Sequence, residues 1–380
     1  MRVVWITHNY PRFGGDPPGA FLHALAVALR ARDVDVRVVA PSDAGEQGGS
    51  ELDGVPIRRV RYGAAEAERL GYGGMDGAVR SLGGIVSLAK LRAALRDGAR
   101  QELRGPGPAL VHAHWWIPAG LAVPAGAPFV LTCHGTDIRI LDRVMPLRAV
   151  ARPIFRRAKV VTTVSRVLAA AVKRLVGVSV AADAIQPMPV ATIERPVSDG
   201  TGGMVVIGRL TAQKRVDLAL EAFAIARQRG VGGTLTIVGD GPVRGALERR
   251  ALADDLRGAV VFAGTVSPGQ VPGFLAHASV AVMPARDEGF GLVAAEALMQ
   301  GVPVIACSDG GGLDDIVPAT GAGRVVAADP AALAAAMIDI TRDAGARAAA
   351  RTEGAGWRER LAPGFVAERC IAWYRRALDA

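Results

Sequence analysis

Short runs of β-branched and other apolar residues alternate with stretches whose apolar positions recur at helical spacing along nearly the whole chain. This is the pattern of strand-helix-strand units built around parallel sheets. In the first half the runs predict strands at 2–7, 36–40, 57–61, 110–114, 129–133 and 160–164. In the second half they predict strands at 204–207, 234–238, 260–263, 280–283, 304–307 and 324–326. The alternation lapses over 185–203, where Pro187, Pro189, Pro196, Gly200, Gly202 and Gly203 give the composition of a linker. The fold class expected is α/β, with two Rossmann-like domains at 1–190 and 203–362 facing each other across a cleft. The stretch 363–380, with Val366, Ile371, Trp373, Tyr374 and Leu378, predicts a closing helix. Ligands of such sheets bind beyond the carboxyl ends of the strands, so the loops that follow strands are where chemistry is expected.

Composition narrows the class without naming a function. The chain has 380 residues, half of them apolar and 21% charged, which is ordinary globular usage for two or three domains. The only apolar stretch near the amino terminus, Val3 to Ile6, is far shorter than a signal-peptide core, and the later apolar runs meet Pro124, Pro128, Glu296 or Gln300 before reaching membrane-spanning length. Cys133, Cys307 and Cys370 are scattered without a C-x-x-C pair, so a reduced cytoplasm is the expected home.

Net charge is +9, and its placement is more informative than its size. Between 138 and 174 ten basic residues stand against Asp142 alone, which equals the whole excess. Arg148, Arg152 and Arg156 fall at helical spacing there. Two readings remain open: a solvated helix face, or peripheral contact with an anionic membrane or a phosphate-bearing acceptor. Few aromatics interleave with these arginines, which argues against nucleic acid.

The richest stretch is Arg286-Asp287-Glu288-Gly289-Phe290-Gly291-Leu292-Val293-Ala294-Ala295-Glu296, after the strand ending near Met283. The backbone N–H groups of Phe290, Gly291 and Leu292 fall where a helix start leaves donors unpaired and able to receive an anion. Glu296 lies a turn further in, on side chains that tilt back toward that end. By residue type alone, Glu288 also reads as a carboxylate favoured by a helix dipole and Glu296 as a solvated helix residue.

The spacing of those two glutamates, with Glu-Gly-Phe-Gly, Glu-Ala-Leu and Gly-Val-Pro-Val around them, resembles glycosyltransferase family 4, retaining enzymes of the GT-B fold. Gly208-Arg209-Leu210 with Lys214, Val238-Gly239-Asp240-Gly241-Pro242, and His134-Gly135-Thr136-Asp137 extend the likeness over most of the chain. The resemblance implies a nucleotide-diphosphate sugar held mainly by the second half and a hydroxyl acceptor on the first, with the final helix packed back on the first domain. By it, Arg209 and Lys214 contact the diphosphate, Glu296 the ribose hydroxyls and Glu288 a hydroxyl of the donor sugar. His134 approaches the reacting centre, and Asp137 accompanies it. The glycine-rich loop with Gly14 and Gly15 approaches acceptor and diphosphate. For His134 and Asp137 a structural reading, in which the aspartate caps the next helix, stands beside the catalytic one.

No metal and no cofactor is expected, since two fixed cations and helix-start amides stabilise charge growing on a leaving diphosphate. No G-x-G-x-x-G follows either opening strand, which weighs against a nicotinamide or flavin enzyme. Lys214 is the sole lysine after the linker of an arginine-rich chain. Asp16-Pro17-Pro18 predicts a helix cap followed by prolines in the first turn. His112 and His114 share a strand face, a geometry that metals also use. Asp33-Val34-Asp35 reads as a turn, and Gly310-Gly311-Gly312 either as the family's loop near the diphosphate or as a flexible turn. A nucleotide-sugar epimerase and a non-catalytic nucleotide-sugar-binding protein are the alternatives. A glycosidase pair at Glu288 and Glu296 is disfavoured by the phosphate-suited surroundings.

Overall fold

The computed structural model describes residues 1–44, 51–68, 70–74, 81–190, 202–317 and 321–380. Most of the expected linker, with Pro196 and Gly200, lies outside these residues. The chain divides into two compact units, Met1–Ala191 with Ala362–Ala380, and Thr192–Leu361.

The first unit is built on a sheet of seven strands among the described residues: β1 (Arg2–Ile6), β2 (Asp35–Pro41), β3 (Glu51–Leu52), β4 (Val55–Val60), β5 (Ala109–His114), β6 (Phe129–Cys133) and β7 (Val160–Thr163), in the order β3-β4-β2-β1-β5-β6-β7. All neighbours are parallel except β3 and β4. Strand β3, absent from the sequence expectation, is a two-residue hairpin arm. Asp53 and Gly54 both take positive φ at its tip, the geometry that an Asp-Gly pair adopts in a tight hairpin. All five residues of β6 are buried, as expected of a strand covered on both faces.

The second unit carries β8 (Met204–Ile207), β9 (Leu235–Val238), β10 (Val260–Gly264), β11 (Val280–Met283), β12 (Val304–Cys307) and β13 (Gly323–Val326), all parallel, in the order β10-β9-β8-β11-β12-β13. Helix Val216–Gln228 buries Ala219, Leu220 and Phe223 against this sheet, at the spacing of one helix face.

Both units are thus Rossmann-like parallel α/β sheets, the fold class expected. Each reverses strand order once, between β1 and β5 in the first unit and between β8 and β11 in the second. Such switch points open a crevice at the strands' carboxyl ends. Helix Pro363–Asp379 belongs to the first unit, burying Val366, Trp373 and Tyr374. Trp373 Nε1 donates to the Asp183 carbonyl, and Arg376 pairs with the Asp183 carboxylate at 2.7 Å. Among the described residues no helix is long and apolar enough to cross a membrane.

Candidate functional site

In the second unit the loops after β8, β9, β11 and β12 meet. Gly239 allows the closest of these approaches, since a Cβ there would overlap the Gly208 carbonyl oxygen. The two loops are tied by Gly208 N–H donating to Val238 and Leu210 N–H donating to Asp240, at 3.0 and 2.8 Å. Arg209 is held between them by its backbone, while its side chain is exposed and has no ion pair among the described residues. Lys214 reaches across Gly208 and meets Glu288, with Nζ 2.7 Å from Oε1. Gln213 Nε2 donates to the same carboxylate oxygen at 2.9 Å. Lys214 and Glu288, to which the resemblance gives different roles, are therefore direct partners.

The backbone of Glu288 is fixed by the glycine run after β12. Glu288 N–H donates to the Gly310 carbonyl at 3.0 Å, and Gly312 N–H donates to the Glu288 carbonyl at 2.8 Å. A Cβ on Gly312 would overlap the Gly289 carbonyl oxygen, so a side chain there would push the two loops apart. Arg215, with φ of 47°, completes the frame. Its guanidinium grips Asp309 at 2.8 and 2.5 Å and donates to the Pro284 carbonyl at 2.7 Å. That bidentate hydrogen bonding holds the Asp309 carboxyl below its ordinary range.

Helix Leu292–Met299 starts from Gly291 in the left-handed region, φ 94°, without a side-chain cap. The N–H groups of Phe290, Gly291 and Leu292 donate to no acceptor among the described residues. The Phe290 ring itself is core, edge-on to Trp357 at 5.6 Å, which leaves only its backbone for a ligand. Glu296, one turn in, is half-buried, and burial pushes its carboxyl up to about 7. Its side chain has no hydrogen-bond partner among the described residues. An anion-ready helix start, two basic residues and an unpartnered carboxylate thus share the β8/β11 end of one sheet.

In the first unit His134 follows β6 and packs on Trp115, ring centroids 4.1 Å apart, with Phe21 at 5.6 Å. Burial, with the nearby His112 and His8, holds its imidazole well below the ordinary value. Asp137 is buried, and backbone groups claim both its oxygens. Oδ1 accepts from the N–H groups of His134 and Gly135, and Oδ2 from that of Trp116, at 3.0–3.2 Å. Burial raises its carboxyl above the usual range in spite of those donors. Asp137 thereby ties the loop after β6 to the turn after β5.

His112 is a satisfied core residue. Its nitrogens lie 2.8 Å from Tyr374 Oη and 2.7 Å from Thr132 Oγ1, so neither is free for a metal. Gly14 and Gly15 lie exposed at the tip of the loop after β1. Asp16 does not cap the following helix as expected: the Arg12 guanidinium and backbone N–H claim its carboxylate, and the helix begins beyond both prolines, at Ala20. Asp33 sits in a turn, with φ of 60°. In the basic segment Arg148 donates to the Leu141 and Asp142 carbonyls, Arg174 pairs with Asp142, and Arg143, Arg152 and Arg156 are exposed.

Sequence reasoning missed Gln213, Arg215, Asp309 and Trp115. None carries a local signal, because each acquires its role from a partner distant in sequence.

Two family models match the chain. One, "Glycosyl transferase 4-like domain", covers residues 18–190, and the other, "Glycosyl transferases group 1", covers 196–357. A 2-deoxystreptamine glucosyltransferase of Streptomyces kanamyceticus is 30% identical over 264 residues, 61% of this chain and 68% of that protein. A glycogen synthase of Mycobacterium tuberculosis is 27% identical over 385 residues, 96% of this chain and 91% of that one. Among solved structures, a sucrose-phosphate synthase from Thermosynechococcus elongatus superposes with a TM-score of 0.75 at 22% identity, covering 99% of this chain and 98% of the other. Matches this extended, falling on both sheets and on the loops just described, place the chain in the group 1 glycosyl transferases, enzymes of the GT-B fold.

Proposed function

We propose that the enzyme transfers a sugar, with retention of configuration and without a metal, from a nucleotide-diphosphate sugar to a hydroxyl acceptor. The observation that carries this reading is the grouping at the β8/β11 end of the second unit: Arg209 unpaired, Lys214 within reach of a ligand, an uncapped helix start and an unpartnered Glu296. When the bond from the anomeric carbon to phosphate breaks, negative charge grows on the diphosphate. Arg209, the amides of Phe290, Gly291 and Leu292, and Lys214 once the diphosphate draws it from Glu288, stabilise that charge. Glu296 accepts hydrogen bonds from the two ribose hydroxyls, and Glu288 from a hydroxyl of the donor sugar.

His134 supplies a hydrogen bond to substrate from the first unit. Asp137, its oxygens already engaged, acts as a positioning residue. The Gly14–Gly15 loop is open enough for an acceptor to approach its backbone. Retention is supported by the family resemblance, with the acceptor arriving on the face the diphosphate leaves and its proton passing to the departing phosphate. The exposed arginines between 138 and 174 serve peripheral contact with an anionic membrane or a phosphorylated acceptor, in a cytoplasmic setting.

Product analysis tests the reading. The full-length protein is incubated with a panel of nucleotide sugars and hydroxyl acceptors in the presence of EDTA, and the products are followed by proton NMR. Release of nucleoside diphosphate with formation of an α-linked product from an α-linked donor is expected. An inverted product, a free epimerised nucleotide sugar or a strict need for added magnesium or manganese would each contradict a part of it.

A further inference from the structure

His114 leaves the end of β5 and His134 the end of β6, and their rings meet edge to edge. His114 Nδ1 lies 3.2 Å from His134 Nε2, room for a single N–H···N hydrogen bond. Trp115 stacked on His134 fixes the plane of that ring. Burial keeps both imidazoles neutral near pH 7, so each ring carries one proton and only one proton lies between them.

The far nitrogen of His114 decides which ring donates. His114 Nε2 is buried and has no hydrogen-bond partner among the described residues. If His134 donated, the His114 proton would be forced onto Nε2, leaving a buried N–H without an acceptor. Orphaned buried N–H groups are rarer in proteins than under-satisfied acceptors, because the lost donor bond is not replaced. If His114 Nδ1–H donates instead, Nε2 is a bare lone pair and the His134 proton sits on Nδ1. That nitrogen has no protein partner among the described residues, and His134 is the half-exposed member of the pair.

We propose that His114 is a positioning residue that locks His134 in the Nδ1–H tautomer, so that His134 meets its ligand as a hydrogen-bond donor to oxygen and not as a base. The tautomer stands on this geometry and on the neutrality of both buried rings, whereas its consequence for turnover rests on the glycosyl-transfer reading.

The test uses full-length protein labelled with ¹⁵N-histidine, with long-range proton–nitrogen correlation near pH 7.5 and the His134 signals assigned by their loss in His134→Gln. Wild-type His134 should show a protonated Nδ1 and a bare Nε2. His114→Phe should release the lock and give a mixture of His134 tautomers. His114→Asn places an amide N–H where Nδ1 stood and should restore the wild-type pattern. In turnover of a nucleotide sugar, His114→Phe should lose about tenfold in kcat/KM, the size of one neutral hydrogen bond, with free-nucleotide affinity unchanged and with recovery in His114→Asn. A protonated Nε2 on wild-type His134 overturns the proposal, and so does an unchanged tautomer in His114→Phe. If His114→Phe does not fold, the wild-type and His114→Asn spectra still decide. The expected tautomers without turnover of any nucleotide sugar would sink the glycosyl-transfer reading and leave the assignment intact.

Discussion

Glu288 and Lys214 neutralise each other, and a diphosphate arriving there competes with the glutamate for the ammonium group. Replacing Glu288 by Gln removes the competitor. Free nucleoside diphosphate should then bind at least as tightly as to wild type, while turnover falls because a transition-state contact to the sugar is gone. Glu296→Gln should do the reverse, weakening free nucleotide by about tenfold, the loss of a charge-assisted hydrogen bond. Calorimetry with the nucleoside diphosphate alone separates the two, and equal losses would contradict the division of roles. Glu296 also sets a pH dependence. Its folded-state value, near 7, lies above the ordinary carboxyl value, so its contribution to folding stability is present in acid and lost as pH rises through 7. If Glu296 receives the ribose hydroxyls as proposed, they need its carboxylate, so nucleotide affinity should climb across the same range and level off above it. The climb should be shallower in Glu296→Gln than in wild type.

Loops set against loops position these side chains, and glycine makes the approach possible. A methyl group on Gly239 would overlap the Gly208 carbonyl, at a backbone with φ of 131° that side chains rarely adopt. Gly239→Ala should therefore cost about 1–3 kcal/mol in a denaturant titration and weaken nucleotide binding by displacing Arg209. Gly14→Ala, with open space around it, should be near neutral in stability. The strands were legible because a parallel sheet buried on both faces writes itself as an apolar run: β6, β8, β11 and β12 occupy the expected residues. Strand β3 is too short to show any period, and its one local sign is Asp53-Gly54. The start of the first helix was misread because Asp16 answers to Arg12, which also reaches Asp43 from the end of β2, a tertiary arrangement that a cap signal does not contain. Glu288, Glu296 and Lys214 were legible through their motif. Gln213 and Arg215 were not, since their partners lie 75 and 94 residues away.

At the scale of the molecule, charge is concentrated in the first unit's 138–174 segment, where the sequence pointed to Arg148, Arg152 and Arg156 as one row. Arg148 is engaged with the Leu141 carbonyl, whereas Arg143, Arg152 and Arg156 are among the exposed basic residues of the segment. Each basic residue near an anionic leaflet contributes about 1 kcal/mol, and salt screens exposed charges beyond about 8 Å at physiological strength. Replacing the three by Gln should reduce cosedimentation with phosphatidylserine-containing vesicles at low salt and weaken its salt sensitivity, while nucleotide binding in the second unit stays intact. Identical behaviour of variant and wild type with vesicles and with phosphorylated acceptors would leave the segment a solvated face. The account turns on a diphosphate site made of protein cations and helix amides, and one measurement reaches it directly. The full-length protein is titrated calorimetrically with a panel of nucleoside diphosphates in EDTA, beside Arg209→Ala and Lys214→Ala. One diphosphate should bind without metal, and each variant should lose about tenfold or more in affinity. Binding that appears only with added magnesium or manganese, or that neither substitution weakens, would contradict it.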